Sequence, residues 1–198
     1  QRVFFAPRVF KLNYMKTYFN NSKNFFIVDQ FLYFLTNTDK ALLQCDLKEM
    51  IAQPANYRIP TSCKTLLKGA DHFFVEPSGD VWSLTEQGLV ENPKTGRKQK
   101  VQLDANEAQC FFSNITVMNG NIVTSVFDNE VKINFLHLLN KEMNVKDSFM
   151  MLEQVTPIHK MELFDRLGLL HLVLIECQRV SLLILSNYTF HAIEVDKK

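Results

Sequence analysis

Apolar and polar positions along this chain alternate in blocks: a short apolar run, a polar turn, then a second apolar run, four times over. Phe31–Leu35 leads through Thr36-Asn-Thr-Asp-Lys40 to Ala41–Leu47, and His72–Val75 leads through Glu76-Pro-Ser-Gly-Asp80 to Val81–Leu84. Asn121–Val126 leads through Phe127-Asp-Asn-Glu130 to Val131–Leu136, and Leu169–Ile175 leads through Glu176-Cys-Gln-Arg179 to Val180–Leu185. Such runs, bounded by Asn, Asp, Gly, Ser and Pro, predict strands joined by turns, because those residues tolerate turn dihedrals or hydrogen-bond back to the chain. The turns recur at intervals of roughly 40–50 residues, the period of a propeller blade. A further apolar strand is predicted before each hairpin, around Phe26, Leu66, Ile115 and Met161. An outer strand is predicted after each, near Tyr57–Ile59, Val101–Leu103, Ser148–Leu152 and Tyr188–Val195. Helical patterning is sparse. Asp46–Ala52 supports a turn or two of helix. Phe135–Met143 has Leu136, Leu139 and Met143 at helical spacing, but reads better as a strand continuing through Phe135–Leu139.

The middle strands are apolar at nearly every position, so both of their faces must be covered. Four-stranded sheets stacked side by side around an axis satisfy that requirement. The predicted class is therefore all-β, a β-propeller or partial propeller of about four four-stranded blades. The blades fall at approximately residues 22–60, 61–104, 105–154 and 155–198. Residues 1–21 form an N-terminal strand or arm, in which Val3–Leu12 belongs to a closing or neighbouring blade. A β-sandwich is the competing architecture and would show stricter alternation with more closely spaced turns. An open array of blades leaves strand edges exposed. The expectation is thus that further blades or another chain complete the ring, and the first residue, Gln1, suits a processed or excised piece.

Three segments resemble the third strand of WD40-type repeats. In Asp39-Lys-Ala-Leu-Leu-Gln-Cys-Asp-Leu-Lys48, the pair Cys45-Asp46 stands where that family has Trp-Asp; Gly79-Asp-Val-Trp-Ser-Leu84 and Asn129-Glu-Val-Lys-Ile-Asn-Phe135 follow the same pattern more loosely. No unit carries the family's Gly-His pair. The resemblance implies that the turns between second and third strands share one rim. Asn37, Asp39, Ser78, Asp80, Asp128, Asn129, Gln178 and Arg179 would then line a binding surface for other proteins.

Composition narrows the function. The chain is 46% hydrophobic and 22% charged, enough for a sizeable core. A net charge of +1 disfavours a general nucleic-acid binder. The basic cluster Lys94, Arg97, Lys98 and Lys100 reads as an exposed hairpin or loop turning at Gly96, with nucleic-acid contact as an alternative role. Cys45, Cys63, Cys110 and Cys177 are widely spaced and lack metal-ligand spacing. They are expected as reduced, buried thiols of an intracellular protein, cytoplasmic or nuclear. The triplets at Asn20, Asn114 and Asn187 are weak pointers to secretion. The apolar stretch Leu167–Leu185 contains His171, Glu176 and Arg179, so it reads as two strands and not as a transmembrane segment.

No nucleophile elbow, phosphate loop, zinc-protease or calcium-loop motif is present in the sequence. His72 and His171 fall within apolar strands and read as sheet or core histidines, whereas His159 and His191 are placed to face solvent. Asp71, Asp80, Asp128, Asp165 and Glu176 recur near turns, where their expected role is to stabilise the turn. Carboxylates around a central channel, as in propeller-type enzymes, are the alternative. The function expected is a non-catalytic protein-interaction scaffold, a subunit or segment of a larger assembly. No enzyme activity, cofactor or metal is implied, and the expected partners are other proteins.

Overall fold

The computed structural model describes residues 25–52, 63–102, 109–151, 156–175 and 180–192. The expected Val3–Leu12 arm, the Tyr57–Ile59 strand and the Glu176–Arg179 turn lie outside them. Within them the protein is all-β, with one short helix and four four-stranded antiparallel sheets. The first sheet is β1 (Phe25–Val28), β2 (Phe31–Leu35), β3 (Leu42–Asp46) and β4 (Lys64–Leu67), with helix α1 (Leu47–Ala52) after β3. The second is β5 (His72–Val75), β6 (Val81–Leu84), β7 (Leu89–Asn92) and β8 (Arg97–Lys100). The third is β9 (Cys110–Met118), β10 (Asn121–Asp128), β11 (Ile133–Leu139) and β12 (Val145–Met151). The fourth is β13 (Lys160–Arg166), β14 (Leu169–Ile175), β15 (Val180–Ser186) and β16 (Thr189–Ala192). Every sheet pairs its strands in chain order, the meander of a propeller blade.

The chain divides into two compact units, Gln1–Lys68 and Gly69–Lys198. In the first unit, Leu32, Phe34, Ala41, Leu43 and Cys45 form the core, with Leu47, Met50 and Cys63 packed against it. Asp46 starts the helix: its Oδ1 accepts the Lys48 backbone N–H at 2.8 Å, satisfying one of the orphan donors of a helix N-terminus. Cys45 and Cys63 form a disulfide. This corrects the expectation that both are free thiols. The cause is register. Gln44 pairs with Lys64 across β3 and β4, so the next position brings Cys45 opposite Cys63, over a separation of 18 residues that sequence spacing alone does not bridge.

In the second unit the three sheets stack side by side. The first strands β5, β9 and β13 adjoin in succession, and the fourth strands β12 and β16 also meet. The third sheet is covered on both faces. One face gives Phe112, Ile115, Val117, Ile122, Val126 and Leu139 to a core shared with Trp82, Leu84 and Val90 of the second sheet. The other gives Val123, Leu136, Leu138 and Met151 to a core shared with Met161, Leu163, Leu172, Leu174, Leu183 and Leu185 of the fourth. Six successive residues of β10, Ile122–Phe127, are consequently buried. Three sheets in series, each backed by the next, are blade packing; a sandwich would close two sheets over a single core.

Three strand placements differ from the sequence reading. The strand at Leu66 is the fourth of the first sheet rather than the first of the second. As a result the Glu76–Asp80 turn joins the first and second strands of its sheet. The second and third are joined by Thr85-Glu-Gln-Gly88, where Gly88 N–H donates to Thr85 O at 2.9 Å. Only Gly88 signals that reversal in the sequence. The outer strand of the second sheet is Arg97–Lys100 itself, and Val101, expected within it, follows as a buried plug that donates its N–H to Gly88 O at 2.9 Å.

Candidate interaction surfaces

A meander places its turns alternately at two ends, so which turns share a rim can be followed through contacts. Asp71 Oδ2 accepts the Glu86 N–H at 2.7 Å, which sets the start of β5 beside the β6–β7 turn. Phe112, at the start of β9, donates its N–H to Glu86 O at 3.0 Å, and its carbonyl lies 3.1 Å from His72 Nε2. Asp128 pairs with Cys110 at that same end of the third sheet. Asn114 Nδ2 donates to Ile158 O at 2.6 Å and Asn134 Nδ2 to Thr156 O at 2.8 Å, which brings the start of the fourth sheet to this end too. Asp128 and Asn129 therefore stand on the rim of His72 and Glu86. Ser78 and Asp80 stand on the opposite one, where Lys94 Nζ bonds Asp80 Oδ1 at 3.0 Å. The eight turn residues expected to line one surface are thus divided within the second unit by the shifted frame of the second sheet. Asn37 and Asp39 belong to the β2–β3 turn of the first unit, and Gln178 and Arg179 lie outside the described residues.

The turn carboxylates are occupied locally. Asp128 Oδ1 accepts the N–H groups of Val131 at 3.1 Å and Glu130 at 2.8 Å, and these bonds, the Val131 one foremost, hold its carboxyl below the ordinary carboxylate range. Asp165 Oδ1 accepts the Gly168 N–H at 3.0 Å. Asp39 accepts the Thr36 hydroxyl, which is the leading cause of its own lowered pKa. Cys110, half-buried beside Asp128, is pushed up to about 11 by desolvation and by the neighbouring carboxylate. The thiol form is therefore favoured at neutral pH. Of the histidines, His137 Nδ1 bonds Ser148 Oγ at 2.8 Å, and His171 stacks on Phe164 with ring centroids 5.0 Å apart. His159 and His191 are exposed. No group of three or more His, Cys, Asp or Glu among the described residues is placed to hold a metal ion.

Two surfaces remain. The basic hairpin is formed as expected, turning at Gly96 with φ +69°, and every residue of β8 is exposed. The residues of the other surface were not among those expected to bind, although an incomplete ring was expected. Alternate residues of the fourth sheet face away from the third: Phe164, Leu169, His171, Val173, Ile175, Val180, Leu182 and Ile184, matched across strands by the register. Val180 is 70% exposed and Leu169 44%. The sequence signal was present in the unbroken apolar runs of β14 and β15. It was read there as burial on two sides, whereas within the second unit one side is covered.

These features define a class: blade-type meander sheets, stacked in series in the second unit, with Asp39, Asp128 and Asp165 bonded within their own turns. No protein-family profile matches the chain, and no curated protein matches it. Among solved structures it is similar to the WD40 domain of SCAP from fission yeast, at 12% identity with a TM-score of 0.38, over 83% of this chain and 41% of that one. The chain thus spans less than half the length of that structure. No helix among the described residues is long and apolar enough to cross a membrane.

Proposed function

We propose that this chain is a non-catalytic protein-interaction scaffold, an intracellular segment or subunit of a larger assembly, in the cytoplasm or nucleus. The observation that carries the reading is the outward face of the fourth sheet. Along β14 and β15 it carries apolar side chains of the kinds that fill the interfaces on either side of the third sheet, with Lys160, Glu162 and Arg166 beside them on β13, and Val180, Leu169, Phe164 and Ile175 stand exposed there. A contiguous apolar face of this kind marks a protein contact surface. Its residues fit a further apolar sheet, from another chain or from additional blades. Polar turn residues on the rims, Asp128 and Asn129 on one side and Ser78 and Asp80 on the other, supply variable contacts, and so do Asn37, Asp39, Gln178 and Arg179. The hairpin bearing Lys94, Arg97, Lys98 and Lys100 suits an acidic partner surface.

The test is affinity purification of the tagged full chain from its native cells, beside a Leu169→Asp/Val180→Asp variant. Both positions are exposed, so the variant is expected to fold with unchanged circular dichroism. The wild type is expected to carry a stoichiometric partner that the variant loses. A wild type that elutes alone as a stable monomer, or a variant that keeps the partner, would overturn the proposal.

A further inference from the structure

Cys45 is fully buried on β3, while Cys63, immediately before β4, is half-buried against the same core. The ladder they flank is short. β4 pairs with β3 at Leu42–Leu67, Leu43–Thr65 and Gln44–Lys64, with a register shift after the first pair, and Lys64 and Thr65 are exposed. β2 and β3, by contrast, pair without interruption from Phe31–Asp46 to Leu35–Leu42. The Cys45–Cys63 bond therefore adds its constraint where hydrogen bonding is weakest.

A second observation bears on the compartment. The triplet Asn114-Ile115-Thr116 lies within β9, with Asn114 7% exposed and Thr116 fully buried, and Asn114 Nδ2 committed to Ile158 O between two sheets. A glycan attached there during synthesis would hold the third and fourth sheets apart. The fold suits a compartment that does not glycosylate such triplets, and outside the secretory route thiols are kept reduced and disulfides are transient or redox-sensing.

We propose that Cys45 and Cys63 form a reversible redox clasp that fixes the outer strand of the first sheet when oxidised and frees it when reduced. The oxidant is a small-molecule disulfide. The thiolate of Cys63, the less buried of the two, attacks one of its sulfurs, releasing one small thiol and leaving a mixed disulfide. The thiolate of Cys45 then attacks the Cys63 sulfur, forming the protein disulfide and releasing the second small thiol. Two electrons pass to the oxidant, and the two protein thiol protons end on the two thiols released. This inference rests on the intracellular placement given under the proposed function but not on the scaffold role.

The experiment equilibrates the full chain in mixtures of reduced and oxidised glutathione. The pair is followed by differential alkylation with peptide mapping, and β4 by amide hydrogen exchange. The expected result is opening in reduced glutathione and closure in oxidised, with β4 amides exchanging roughly tenfold faster when open while β10 stays protected. A Cys63→Ser variant should exchange at the fast rate in both mixtures. Cys110, which forms no disulfide, serves as an internal reference thiol. A pair that stays bonded in excess reduced glutathione, β4 exchange that is equal in both states, or a glycan on Asn114 of the native protein would each overturn the proposal.

Discussion

Gly88 sits in the β6–β7 turn at φ +84°, and a Cβ added there would lie 2.3 Å from Cε2 of Phe112, whose ring is buried between the second and third sheets. Gly79 has nearly the same backbone, φ +81°, but open space around it. The pair separates two costs of losing a glycine. Gly79→Ala bears only the left-handed backbone penalty, about 1 kcal/mol. Gly88→Ala adds a clash with a ring that has no room to retreat, so a loss clearly greater than about 1 kcal/mol is expected. Denaturant unfolding of both variants checks this; equal losses would mean that the Phe112 contact is unimportant. At this scale the sequence was readable where the chemistry is local. Asp128 and Asp165 bond amides two or three residues on, as turn aspartates do. Gly88 turns the chain locally, but its contact with a ring 24 positions away leaves no local signal.

Among the elements, β9 and β10 explain how a blade tolerates burial on both sides. The polar residues Ser113, Asn114, Thr116, Thr124 and Ser125 are all buried in these two strands. Some are satisfied: Ser113 Oγ lies 2.9 Å from Ser125 Oγ, beside the bulge between Ser125 and Val126. The Thr116 hydroxyl is fully buried and makes no hydrogen bond with the protein. Its desolvation is uncompensated, so Thr116→Val, which keeps the shape and removes the hydroxyl, is expected to raise stability by about 1 kcal/mol in thermal or denaturant unfolding. A destabilised variant would point to an ordered water on that hydroxyl. The strand Ile133–Leu139 was legible, despite its helical spacing, as the continuation of the apolar run after the turn, and it pairs along its length with Asn121–Asp128. The frame of the second sheet was misread because β4 and β5 are both short, and only pairing decides which sheet a four-residue strand joins.

Over the whole of the second unit, protection should follow the number of covered faces. The third sheet has a neighbour on each side and the fourth on one, among the described residues. Amide exchange is therefore expected to be slowest in β10 and faster in β14 and β15, although the latter are the more apolar segments. Equal protection would show that the outward face of the fourth sheet is covered in solution. That contrast divides what each level of description determined. The sequence by itself determined that the chain makes strands, where most hairpins turn, and that its middle strands are too apolar to face water, because these follow from residue types within a few positions of one another. Only the tertiary structure decided which strand joins which sheet, that Cys45 meets Cys63, and which apolar face is left open. Those outcomes depend on pairing between distant segments, which fixes register and coverage but leaves no mark in local composition.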